Sequence, residues 1–161
     1  MNTIYKIFLG ILMVLFTGYS SMAQKVTKYK CMLQMTNYMG EGAYIVVSLI
    51  DAKGAYEKTL YVMGANKKWY HDIKEWNKFY KKKPSNISAI TGASVTGGDR
   101  STTTFEIEDA KLNKGYTIRF ESAVEDKKYN VKDVEVPLTT EGLAAKTEGK
   151  GYIRYVRFSA N

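Results

Sequence analysis

A period of two runs through most of this chain. Tyr116, Ile118, Phe120, Ser122 and Val124 alternate with Thr117, Arg119, Glu121 and Ala123. That spacing predicts a strand with one face turned inward. Thr102 to Glu108 puts Phe105 and Ile107 on one face, and Lys132 to Leu138 repeats the alternation. Residues 151–159 end the chain on an aromatic-rich strand, and Val26 to Asn37 alternates loosely enough to be a first one. Tyr44 to Ile50 is a short apolar run, the pattern of a buried strand. Asp51-Ala52-Lys53-Gly54 supplies turn chemistry, and Glu57 to Met63 is the returning strand. Strands at this spacing, about seven in all, predict an all-β fold, a β-sandwich of immunoglobulin type.

One helix interrupts the series, at about residues 67–82. Trp69, Ile73, Trp76 and Tyr80 fall four, three and four residues apart, a helical stripe. Lys67, Lys68, Lys74, Lys78 and Lys81 project elsewhere, and Lys82, Lys83 and Pro84 close the segment. The plain expectation is a helix laid over the sandwich with Trp69 and Trp76 as anchors. The sharper one is an aromatic and lysine platform for a flavin or another anion.

The N-terminus adds an address. Lys6 precedes an apolar run from Ile7 to Phe16, and Ser21-Met22-Ala23 follows before Gln24. The run is too short to span a bilayer and fits a secretory signal, with residues 1–23 removed after Ala23. Residues 24–161 then form a single exported domain, in the periplasm or outside the cell, with no transmembrane segment in the mature chain. The formal charge of +8 is compatible with anionic partners, but export makes nucleic acid a poor one. The only cysteine, Cys31, has no internal partner for a disulfide, so the domain must hold itself together by burial. Cys31, Met35 and Met39 would offer soft ligands to Cu(I) if they shared a strand face; as apolar filler they belong to the core. His71, the single histidine, lies in a lysine-rich segment, and no serine–histidine–aspartate set can be assembled around it.

The remaining chemistry is in Ile90-Thr91-Gly92-Ala93-Ser94-Val95-Thr96-Gly97-Gly98. Hydroxyl residues separated by small ones make a slim loop, able to enter another enzyme's site or merely to bond its own turn. It lacks the Lys-Ser/Thr ending of a nucleotide-binding loop.

The order of Trp69 and Trp76, then Ala89 to Gly97, then Gly115 to Ala123 resembles the predicted periplasmic proteins grouped as domain of unknown function 2271. The resemblance spans roughly residues 30 to 158. It implies an extracytosolic immunoglobulin-like domain working beside a PepSY-type membrane redox protein and a flavin transferase, in redox or metal-uptake chemistry. The loop also resembles the tag of covalently flavinylated electron-transfer proteins: an Asp, two small or apolar residues, then Thr/Ser-Gly-Ala-Thr/Ser. Here the frame is Ser88-Ala89-Ile90-Thr91-Gly92-Ala93-Ser94. It implies FMN joined to Ser94, with Thr91, Gly92, Ala93 and Thr96 around it, and Ser88 standing where the tag has Asp. On this reading the protein is an electron carrier and not an enzyme. The alternative is a cofactor-free binding or assembly module that docks the PepSY-type partner.

Cleavage is the first expectation to test. N-terminal sequencing of the exported protein should begin at Gln24. Full-length chain confined to the membrane fraction would contradict it.

Overall fold

The computed structural model describes residues 25–160; the expected signal at 1–23 lies outside the described residues. Among these, nine strands form: β1 (Val26–Met35), β2 (Tyr44–Ile50), β3 (Tyr56–Met63), β4 (Thr91–Gly92), β5 (Arg100–Glu108), β6 (Thr117–Ala123), β7 (Tyr129–Pro137), β8 (Lys146–Glu148) and β9 (Ile153–Ala160). They make two sheets, β5-β1-β9-β8 and β4-β3-β2-β6-β7. The expected all-β sandwich is what forms. Each expected strand is present, and β4 and β8 are additions too short to show a period in the sequence. All pairings are antiparallel except β3 with β4.

Alternation decides which side chains fill the sandwich. Cys31, Leu33 and Met35 of β1 meet Ile45, Val47 and Leu49 of β2, with Phe120, Val134 and Val156 in the same cluster. Burial pushes the Cys31 thiol up to about 12, so it is an inert core group. Met39 is 90% exposed and lies beyond the end of β1. The three soft ligands considered for Cu(I) therefore do not share a face. Between the sheets, the buried Asp133 carboxylate accepts the backbone N–H groups of Lys150 (2.9 Å), Gly151 (2.7 Å) and Ile153 (3.1 Å), and the Ser122 hydroxyl. It ties β7 of one sheet to the β8–β9 turn of the other.

The helical segment is broken where the stripe predicted continuity. Lys67–Asp72 is a 3-10 turn, and the α-helix, α1, runs only from Lys74 to Lys82. Between them Ile73 leaves helical geometry (φ −87°, ψ 69°) with its side chain fully buried. The break changes which aromatics are anchors. Trp76 is 0% exposed, stacks on Tyr80 (5.0 Å), meets Tyr70 edge-on (5.1 Å) and donates Nε1–H to Thr59 Oγ1 (2.9 Å). Trp69 is only half-buried, tilted against His71 with the Lys68 ammonium 4.4 Å over its ring. Tyr70 takes the buried place expected of Trp69. With Trp76 wholly enclosed, the two tryptophans do not form a flavin platform.

A short second helix, α2 (Thr140–Ala144), follows β7, its first turn capped by the Thr139 hydroxyl accepting from Gly142 N–H at 3.0 Å.

Replacing Trp76 by Ala should cost about 3–5 kcal/mol, the range for a buried aromatic. Replacing Trp69 should cost about 1 kcal/mol or less. Chemical denaturation of the two variants against the parent checks the order; equal losses would mean the stripe acts as one helix.

Candidate functional site: the 88–99 loop

Beyond α1 the chain returns to the sheet through a 3-10 turn, Ser88–Ile90, and enters β4. There Val62 pairs with Thr91 and Met63 with Gly92, and Gly64 N–H donates to the Gly92 carbonyl at 2.8 Å. Three residues later Val95 is buried and bridges Ala43 in both directions (2.8 and 3.0 Å). The Tyr38 hydroxyl fastens that bridge, donating to the Val95 carbonyl (2.7 Å) while accepting from Ala43 N–H (2.7 Å). Burial holds the Tyr38 phenol above its ordinary value, so it stays a donor. Past Thr96, Gly98 N–H donates to the Thr36 carbonyl (2.9 Å) and Asp99 N–H to the Thr96 carbonyl (3.2 Å). Ala93 and Ser94 are thus an exposed pair held between two anchored points.

The two hydroxyls of the tag-like frame have different fates. Thr91 Oγ1 donates to the Ile87 carbonyl at 2.8 Å, a local turn contact. Ser94 makes no side-chain hydrogen bond among the described residues and is exposed. A Cβ on Gly42 would fall 2.6 Å from Ser94 Oγ, so the glycine opposite gives the hydroxyl its room. Gly92 is needed for a similar reason: a Cβ there would lie 2.8 Å from the Tyr61 hydroxyl, and its φ is not left-handed. Close approach, not an unusual dihedral, is what this glycine supplies. Thr96 is exposed on the far side of Val95, and Ser88 is exposed in the turn before β4.

A shallow cleft of about 220 Å³ opens beside Ser94, lined also by Tyr61, Ala93, Asp99, Arg100 and Ser101. Asp99 and Arg100 are additions to the site. Their only trace in the sequence is adjacency to the glycine pair that ends the loop. Arg100 Nε donates to Gln34 Oε1 at 3.1 Å, which leaves its terminal nitrogens for an anion.

A family model described as predicted periplasmic protein, DUF2271, matches residues 26–155. The chain belongs to the DUF2271 family. No curated protein and no solved structure gives a significant match. The family description agrees with the expected export. Among the described residues, no helix of this DUF2271 domain is long and apolar enough to cross a membrane.

A second cluster of ionisable groups lies under α1. Glu121 of β6 is fully buried, and its carboxylate accepts the hydroxyls of Tyr56 and Tyr129. The Tyr129 oxygen also accepts Glu75 N–H at 3.1 Å. Arg119, paired with Glu135 at 2.8 Å, stacks over the Tyr56 ring. Burial pushes the Glu121 carboxyl up to about 7, against the hydrogen bonds and the Arg119 charge that favour its ionised form. Burial first, then the nearby Glu121, raises both tyrosines above their ordinary values.

The raised carboxyl makes folding pH-dependent. The folded protein keeps this proton up to about pH 7, whereas the unfolded chain releases it near 4.5. The contribution to stability is therefore fully present below pH 4.5 and is lost as pH rises through 7. Its size is about 3 kcal/mol. Glu121→Gln should flatten the stability profile between pH 5 and 7.5, read by urea unfolding at each pH. Parallel profiles for parent and variant would show that Glu121 does not titrate there.

Proposed function

We propose that this exported protein is an electron carrier bearing one FMN, joined through a phosphoester to Ser94, within an extracytosolic redox system. The observation that carries the reading is the contrast between the two hydroxyls. Thr91 is spent on its own turn, whereas Ser94 is exposed, unpartnered and set in a slim two-residue arch. That is what a hydroxyl needs to reach a phosphorus centre inside a second enzyme. The residues present fit the group. Arg100 lines the cleft beside Ser94 with free donors suited to a phosphate, and Gly42 leaves the oxygen unobstructed. The flavin, once attached, supplies the one- and two-electron chemistry; the protein supplies position and charge.

Attachment requires a transferase and a flavin dinucleotide as donor. Ser94 Oγ forms the new bond to the flavin-side phosphorus, the pyrophosphate bond breaks, AMP leaves and the serine proton passes to the transferase. A PepSY-type membrane protein is the electron partner consistent with this role.

Co-expression with an extracytosolic flavin transferase should give a yellow protein heavier by FMN less one water, with the label retained on denaturation. Ser94→Ala should abolish the label and Thr96→Ala should not. Ser88→Asp should raise the yield, since it restores the carboxylate of the tag. If the parent stays colourless while a control substrate in the same cells is labelled, the carrier reading fails. A cofactor-free docking module then becomes the account.

A further inference from the structure

The helical excursion holds a charge concentration that the Ser94 site does not use. Residues 67–83 carry seven lysines against Asp72 and Glu75, a net +5 within a chain of formal charge +8. All seven lysines are exposed. Glu75 is taken by Lys78 (2.7 Å), and Asp72 faces His71 (3.1 Å). Lys67, Lys74, Lys81, Lys82 and Lys83 form no ion pair among the described residues. Their charges are therefore not neutralised by the fold, and they repel one another along a short segment.

We propose that this excursion is a docking ridge for an anionic phospholipid surface. Three features select that occupant. The segment holds no arginine, and lysines act as mobile point charges, without the planar fork that recognises one carboxylate or phosphate. That suits a diffuse, laterally mobile layer of headgroups. The half-buried Trp69 sits among the cations, with Lys68 over its ring and His71 against it. An indole placed this way matches the preference of tryptophan for the membrane interface. The apolar side of the segment is already committed to the sheet through Tyr70, Ile73 and Trp76. The ridge therefore lies on a surface by charge and one indole, without inserting a helix face. The inference is independent of whether Ser94 carries a flavin.

The test is co-sedimentation of the purified exported protein with phosphatidylglycerol vesicles, with phosphatidylcholine vesicles for comparison. Binding should be confined to the anionic vesicles and weaken steeply with salt. The triple variant Lys81→Gln/Lys82→Gln/Lys83→Gln should bind roughly 100-fold more weakly, about fivefold per lysine removed. The matched control is Lys30→Gln/Lys146→Gln/Arg157→Gln. It removes the same charge from exposed positions on the four-stranded sheet, on the other side of the sandwich. It should weaken binding by less than about threefold, since distant charges are screened. Equal losses in the two triples would overturn the assignment to the ridge. Failure to bind phosphatidylglycerol vesicles would overturn the lipid reading, as would binding to soluble polyglutamate but not to vesicles.

Discussion

A carboxylate with no access to water decides how the helical excursion meets the sheet. Helix α1 starts at Lys74, and the residue before it, Ile73, has a side chain that offers no cap. The first N–H groups of a helix need partners. Here one comes from across the interface: Glu75 N–H donates to the Tyr129 hydroxyl. Glu121 accepts from Tyr56 and from that same Tyr129, so one residue of β6 gathers β3 and β7 and, through Tyr129, α1. Trp76 then closes the interface against Thr59 and Tyr80. A buried polar network of this kind is tolerated because its members satisfy one another. It also fixes direction. A purely apolar seam would let a nine-residue helix slide or rotate, whereas the two tyrosines and Glu121 define one seat.

That seat positions the 88–99 loop. The chain leaves α1 at Lys82 and must rejoin β3 at Thr91, where β4 pairs in parallel with Val62 and Met63. Parallel pairing so soon after β3 is possible because the excursion turns the chain round to run again alongside the last two residues of that strand. Val95 then anchors the far side through Ala43 and Tyr38. Ser94 is exposed because both neighbouring contact points are pinned, not because the loop is long.

The strands were legible because most bury one face only. Glu121 shows where the rule stops. Its alternation with Phe120 and Ser122 marks it as outward, and it does point away from the sandwich interior. The sequence pattern of β6 has no register of α1 lying over that outer face, so a position expected in solvent became the most enclosed carboxylate of the helix interface. The helix shows the converse. Spacings of four, three and four fit one continuous stripe, but they also fit a 3-10 turn followed by α1 with Ile73 between. Only the break moves Trp69 off the sheet and brings Tyr70 onto it. At the loop, the small residues were visible as small, yet their reasons were not local. Gly92 answers to Tyr61 and the Ser94 hydroxyl to Gly42, contacts set by sheet pairing and absent from any window of sequence. Arg100 and Asp99 reach the cleft for the same reason.

Two kinds of surface chemistry are thus segregated on one small fold. The Ser94 arch is nearly uncharged apart from Asp99 and Arg100, and is held by backbone pairing. The 67–83 excursion concentrates lysine and is held by aromatic and carboxylate contacts beneath it. Both hang from the end of β3, since the excursion leaves it after Met63 and β4 returns beside it. Neutral Glu121 favours the seat by avoiding a buried charge, and ionisation near pH 7 sets that cost against the hydrogen bonds it receives. The stability of the helix seat is, for this reason, coupled to one proton.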